Sequence, residues 1–155
     1  MPVMRYREAN TLDIPVLAQI RANDWGTEEY WNTRISGYMD CKLHPQQALI
    51  PRIIYIASEI DTIVGFIAGH LTRRYEYDGE LEWIDVIPEY RRKGIASALL
   101  GMLASWFVEQ KALRVCVDVD PANITARHFY QRHGAEPLNK HWMIWKDINT
   151  ILKKQ

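Results

Sequence analysis

The segment Leu81 to Leu100, LEWIDVIPEYRRKGIASALL, brings together residue types that can hold a phosphate group. An alternating apolar run leads into Pro88, a basic tripeptide Arg91-Arg92-Lys93 follows, and Gly94 precedes a helical stretch without a conventional cap. A helix that begins there presents backbone N–H groups and its positive dipole end just beyond a strand. That is the geometry of an anion cradle. Gly94 and the small Ala96 let a ligand approach the main chain where a larger side chain would collide, and the basic side chains supply charge. Taken alone, the string equally fits a strand-to-helix turn with a solvated basic corner, so its meaning depends on its neighbours.

A second stretch, Asp118 to Ala135, reads DVDPANITARHFYQRHGA. Pro121 and Asn123 mark a turn after a strand, and Asn123 lies where it can cap the helix that follows. Ala126, Phe129 and Tyr130 share one face at i, i+3 and i+4, the spacing of a core stripe. Phe129 is read as core. Tyr130 differs, because a buried phenol needs a partner and its helix starts beside the cradle if the two strands are neighbours.

The elements that must position these residues follow from periodicity. Val3 to Glu8 reads as a strand and Asp13 to Arg21 as a helix with Pro15 near its start. Thr27 caps a second helix whose first turn holds Glu28 and Glu29. Ile53–Ser58 and Ile63–Leu71 form a hairpin around Glu59-Ile60-Asp61. Strands are expected at Leu81–Ile87, Arg114–Val119 and Trp142–Lys146, with helices at Ile95–Gln110 and Ile124–His133, the last closed by Gly134. Antiparallel strands early and strand-helix-strand-helix late describe an α/β fold, a three-layer mixed, mostly antiparallel sheet with helices on both faces.

Composition sets the outer bounds. With 155 residues, 48% of them hydrophobic, and no linker or repeat, residues 1–155 are expected to form a single domain. A formal net charge of zero gives no basic excess for nucleic acid. The start, MPVMRYREANTLD, has no signal-like apolar run, and no segment approaches the roughly 18 apolar residues of a membrane span, so a cytoplasmic protein without a membrane partner is expected. Cys41 and Cys116 are far apart and suggest neither a disulfide nor a zinc site. Asp118 and Asp120 lack the glycine and distal glutamate of a calcium loop, and His128 and His133 lack ligand spacing. His44, His70 and His141 stand alone and read as structural, so no metal is expected.

On the residues Arg91 to Ala96 and on Asn123, Ala126, Phe129, Tyr130 and Gly134, the chain resembles the GNAT superfamily of N-acetyltransferases. The match is close over Leu81 to Ala135. Ala96 replaces the commoner final glycine of the first motif, and Ala135 stands where an aromatic often follows. The resemblance implies the acyl-CoA N-acyltransferase fold and transfer of an acetyl group from acetyl-CoA to an amine. It further implies that Arg91, Arg92, Lys93, Gly94, Ile95, Ala96 and Ser97 hold the pyrophosphate and that Ile84, Asp85 and Val86 pair with the pantetheine arm. A backbone N–H near Val86 then faces the thioester carbonyl, where a fixed donor could stabilise a tetrahedral oxyanion. Asn123 contacts the pantetheine or the neighbouring turn.

An alkylammonium with a pKa of about 10 must lose a proton before it attacks, and the departing thiolate benefits from an acid. Tyr130 matches the family's usual acid, packing against the cofactor being its other reading. For the base, strict alternation puts Glu80, Glu82, Ile84 and Val86 on one strand face and Leu81, Trp83 and Asp85 on the other. Family members carry the base at positions matching Glu80 or Asp118, and Glu82 lies between them, nearest the expected thioester. Glu82 and Asp118 rank equal, Glu80 behind, with water as the alternative if all three are ordinary strand carboxylates.

For the acceptor, the family's pattern points to Trp25, Tyr30, Trp31, Tyr38, Tyr75, Tyr77 and Trp142, interleaved with Glu28, Glu29, Glu76, Asp78 and Glu80. Aromatic faces with carboxylates favour a cation, hence a small-molecule amine or a peptide amine. Half of these aromatics would equally serve a core or a homodimer interface, and Arg73 and Arg74 could bind an acceptor carboxylate instead. The alternatives to a small-molecule enzyme are a protein N-terminal or lysine acetyltransferase and a non-catalytic acyl-CoA-binding module.

Overall fold

Seven strands form one sheet in the order β1-β2-β3-β4-β5-β7-β6, in a computed structural model that describes residues 3–153. The strands are β1 (Met4–Glu8), β2 (Ala48–Glu59), β3 (Thr62–Thr72), β4 (Gly79–Val86), β5 (Val115–Asp118), β6 (Glu136–Pro137) and β7 (Trp142–Trp145). Only β4 and β5 run parallel; every other neighbouring pair is antiparallel. The helices are α1 (Ile14–Ala22), α2 (Glu28–Met39), α3 (Ile95–Glu109), α4 (Ile124–Arg132) and α5 (Asn149–Lys153). No helix is long and apolar enough to cross a membrane among the described residues.

The sheet separates two cores. On one face, α1 and α2 place Leu17, Ala18, Trp31 and Ile35 against Ile56, Phe66 and Trp83. On the other, Leu99, Leu103 and Phe107 of α3 pack with Ile67, Leu81 and Val86, joined by Tyr130 of α4 and Ile151 of α5. The expected three-layer arrangement is thus present. Local signals act where they were read: Thr27 Oγ1 accepts the Tyr30 N–H at 3.0 Å, and Asn123 Oδ1 accepts the Ala126 N–H at 3.1 Å.

The alternation expected along β4 is interrupted. Gly69 pairs with Leu81 and Ala68 with Trp83, so Glu82 is an extra residue in β4, a β-bulge. Leu81 therefore faces α3, whereas Trp83 faces α1 and α2. Ile84 and Val86 belong to the α3 face, not to the face of Glu80 and Glu82. The bulge turns both glutamates toward α2 and His70, and it is the feature that builds the site.

Candidate active site

The sheet opens where β4 outlasts its parallel neighbour. Pairing with β5 runs over Gly79↔Val115, Glu80↔Cys116 and Leu81↔Val117, and then stops, while β4 continues to Val86. The Ile87 N–H donates to Val64 O at 2.9 Å. Antiparallel alternation then turns the main-chain groups of Asp85 toward β3 and those of Ile84 and Val86 toward the opening. The expectation that Asp85 pairs with pantetheine through its backbone is therefore corrected. Arg91 Nε donates to Val86 O at 2.9 Å, which leaves the Val86 N–H as the donor on the open side.

One end of the opening is the start of α3. Arg92 and Gly94 both adopt positive φ, 62° and 82°. Gly94 is the N-cap residue of α3 with no side-chain cap, and the first bond of the helix runs from Ala98 N–H to Gly94 O at 3.0 Å. The N–H groups of Ile95 and Ala96 consequently point out of the helix end. A Cβ built on Gly94 would meet nothing within 4 Å, so the space before the helix is open to a ligand. Arg92 and Lys93 are exposed, Lys93 lying 5.2 Å over the Tyr90 ring. Ile95 is buried, so only its main chain can serve a ligand. Ser97 Oγ lies 3.0 Å from His133 Nε2 and ties α3 to the end of α4.

Tyr130 is buried beside Trp145, ring centroids 5.7 Å apart. Burial pushes its phenol far above the usual range, the Asp85 charge adds to this, and Arg21 opposes it. The group thus keeps its proton at any working pH. Asp85 Oδ2 accepts from Arg21 Nη1 at 2.9 Å, and the guanidinium stacks 4.4 Å over Trp31.

Burial raises the Asp85 carboxyl to about 7, with a further rise from its hydrogen bond with Asp24, against the pull of Arg21. The folded state therefore binds the Asp85 proton more tightly than the unfolded chain, whose carboxyl titrates near 3.8. Stability from this group is full below the unfolded pKa and is lost as pH rises toward 7. Urea unfolding at pH 5 and pH 8 should show lower stability at pH 8, by a few kcal/mol at most, and Asp85→Asn should lessen the difference. An undiminished difference in the variant would assign it to other carboxyls.

The carboxylates on the α2 side have distinct surroundings. Glu80 is buried, and its Oε1 accepts from Arg74 Nε at 3.1 Å and from Thr72 Oγ1 at 3.3 Å. Glu82 is half-buried and makes no hydrogen bond or ion pair with described residues; burial raises its carboxyl, Glu80 adds to the rise, and His70, Arg34 and Arg74 counter it. Asp118 is exposed at the end of β5, its carboxyl raised first by desolvation and lowered by His141. His70 does not stand alone as expected. Its ring nitrogen and the Glu80 and Glu82 carboxylates lie within 4.8 Å of one another. The register pair His70↔Glu80 links these residues only once the strand partners are known.

The expected acceptor aromatics divide. Trp31, Tyr38 and Tyr77 are buried, whereas Trp25, Tyr30 and Tyr75 are 56%, 45% and 50% exposed and so accessible to a ligand. Trp142 is covered by Arg74 at 4.4 Å. Arg74 is thus engaged by Glu80, by the Gln46 carbonyl at 2.7 Å and by the Trp142 ring. Cys116 is buried in β5.

The strand order, the opening between β4 and β5 and the uncapped start of α3 are those of an acyltransferase fold. The profile described as the acetyltransferase (GNAT) family matches residues 17–135, and the chain belongs to that family. Streptothricin acetyltransferase A of Bacillus subtilis is 33% identical over 67 residues, covering 42% of this chain and 39% of that protein, so the match spans well under half of this relative. The aminoglycoside N-acetyltransferase AAC(6')-Iy in complex with CoA superposes with a TM-score of 0.73 at 18% identity, over 90% of this chain and 91% of that one. The spermidine/spermine N-acetyltransferase SpeG from Vibrio cholerae, in mutant form, gives 0.67 at 14% identity over 97% of each chain. These two likenesses establish the shared fold.

Proposed function

We propose that this protein transfers an acetyl group from acetyl-CoA to a primary amine of a small molecule, by direct attack within a ternary complex. The observation that carries this reading is the opening beside Glu82 to Val86, with the uncapped start of α3 at one end. Arg92, Lys93 and the first-turn N–H groups of α3, with the free guanidinium nitrogens of Arg91, would hold the pyrophosphate. The main chain of Ile84 and Val86 would pair with the pantetheine arm, and Asn123 would border it. The Val86 N–H is the donor available to a carbonyl oxygen on that side. We place the reaction in the cytoplasm, a reducing compartment that suits the two free cysteines.

An ammonium becomes an amide nitrogen by losing two protons. One passes to a base before attack, for which Glu82 has the unengaged carboxylate; the other balances the proton that Tyr130 gives to the departing sulfur. The acceptor side supports a cation, since Glu82 carries an unengaged carboxylate and Trp25, Tyr30 and Tyr75 are exposed. With Arg74 committed to Glu80, binding of an acceptor carboxylate would fall to Arg73. The relatives' names point the same way, toward streptothricin, aminoglycosides and spermidine.

The test is a panel of polyamines, aminoglycosides, amino acids and short peptides with acetyl-CoA, followed by thiol release. Turnover confined to small amines supports the reading; turnover of peptides alone would make this a protein acetyltransferase. Bound acetyl-CoA with no turnover of any amine would leave a non-catalytic module. In the same assay Tyr130→Phe should lower kcat by roughly a hundredfold or more, with acetyl-CoA affinity changed less than threefold by calorimetry, because the ring still packs. Unchanged turnover would remove the acid role.

A further inference from the structure

His70 is completely buried on β3, in the face that turns toward α2. Its Nδ1 lies 2.9 Å from the Tyr38 hydroxyl. Its Nε2 has no hydrogen-bond partner, and Glu80 Oε1 stands 3.7 Å from it, with the Glu82 carboxylate in the same cluster. Burial holds the Tyr38 phenol well above its usual range, so Tyr38 keeps its proton. A Tyr38 hydroxyl that donates to Nδ1 fixes the ring's hydrogen on Nε2. A buried donor without an acceptor is costly, and here it is aimed at the two glutamates.

We propose that His70 is a positioning residue for the transfer reaction, oriented by Tyr38 so that its Nε2–H steers and stabilises the Glu82 carboxylate as that group takes the acceptor's proton. This rests on the reading of Glu82 as the base. The arrangement divides labour between neighbours. Glu80 is held at Oε1 by Thr72 and Arg74, while Glu82, the bulge residue, makes no hydrogen bond or ion pair with described residues. The donor therefore serves the unengaged carboxylate. The charged and titratable groups around it are Tyr38 and Arg34 on α2, Glu80 and Glu82 on β4, and Arg74 after β3. Arg52 of β2 lies 4.9 Å over the Tyr38 ring, and Cys116 of β5 lies behind Glu80.

The experiment is the pH profile of kcat/KM in His70→Phe, His70→Gln and Tyr38→Phe, alone and combined with Glu82→Gln. Loss of the donor should lower kcat at least tenfold and move the acidic limb of the profile to higher pH, because Glu82 loses a group that favours its charged form. The acetyl-CoA KM should stay within threefold. His70→Gln, which keeps an N–H donor, should recover most of the rate, and Tyr38→Phe should shift the limb in the same direction by less. In the Glu82→Gln background, His70→Phe should produce no further shift. If Glu82→Gln removes the limb but neither His70→Phe nor Tyr38→Phe moves it, the positioning role is wrong. If Glu82→Gln leaves the limb intact, the base reading fails and takes this proposal with it. Should His70→Phe not fold, His70→Gln and Tyr38→Phe decide: a limb at its original pH in Tyr38→Phe, whose ring still fills the site, overturns the assignment.

Discussion

Gly94→Glu is expected to abolish acetyl-CoA binding, with Kd rising at least a hundredfold. A Cβ at Gly94 meets nothing within 4 Å, so a new side chain starts out into open space rather than into the protein. The cost to stability is the positive φ of 82°, about 1–2 kcal/mol for an L-residue. What the new carboxylate does meet is whatever binds before α3. It fills the approach to the Ile95 and Ala96 N–H groups and repels each phosphate at 4 Å by about 4 kcal/mol at a surface-like dielectric. Gly94→Ala is the control, since it carries the same backbone strain with little bulk and no charge, and its affinity should fall less than tenfold. Calorimetric titration of both variants, alongside thermal melts, separates binding from folding. A Gly94→Glu protein that melts normally and still binds acetyl-CoA at wild-type affinity would show that the loop before α3 does not hold the pyrophosphate.

The uncapped start of α3 was legible in the sequence because its parts are local. Gly94, the basic tripeptide before it and the missing cap lie within a few residues, and the α3 start depends on nothing distant. The same holds for the caps at Thr27 and Asn123, where one side chain serves an N–H three residues on. The grouping of Glu80, Glu82 and His70 was less legible because it depends on register. Strict alternation in β4 is the right expectation for an unbroken ladder, and a single extra residue at Glu82 overturns it for everything beyond. That bulge sends Trp83 and Asp85 to the α1 side and brings Glu82 beside Glu80 and His70. His70 looked isolated because ten residues and a turn separate it from Glu80 in the chain, yet it is its cross-strand partner. Asp85 was assigned by its backbone, and the structure gives it a side-chain role with Arg21 that no local pattern encodes. The short β6 and α5 escaped notice because two strand residues that include Pro137 and a five-residue helix carry no periodic signal.

Glu82→Gln should lower kcat/KM at neutral pH by about 10²–10⁴, the range for a general base. Three carboxylates were candidates, and their surroundings rank them. Glu80 is buried and its Oε1 is already engaged by Arg74 and Thr72, so its charge is partly spent within the protein. Asp118 is exposed at the end of β5 and adjoins the opening only from the far strand. Glu82 stands at the start of the opening, unengaged, and burial raises its carboxyl toward the pH at which a base works best. Its raised pKa also sets the sign of the pH dependence. Below that pKa Glu82 is protonated and the rate falls; above it the carboxylate forms and the rate rises, which produces the acidic limb. With glutamine in place, only the fraction of acceptor already deprotonated in solution can react, and that fraction grows toward the amine's own pKa of about 10. The deficit of the variant should therefore shrink as pH rises, being largest near pH 6 and smallest near pH 9.5. Asp118→Asn, measured beside it, should stay within threefold of wild type with its acidic limb in place. The reverse pattern would move the base to β5, and two unchanged profiles would leave water or Glu80 to take the proton.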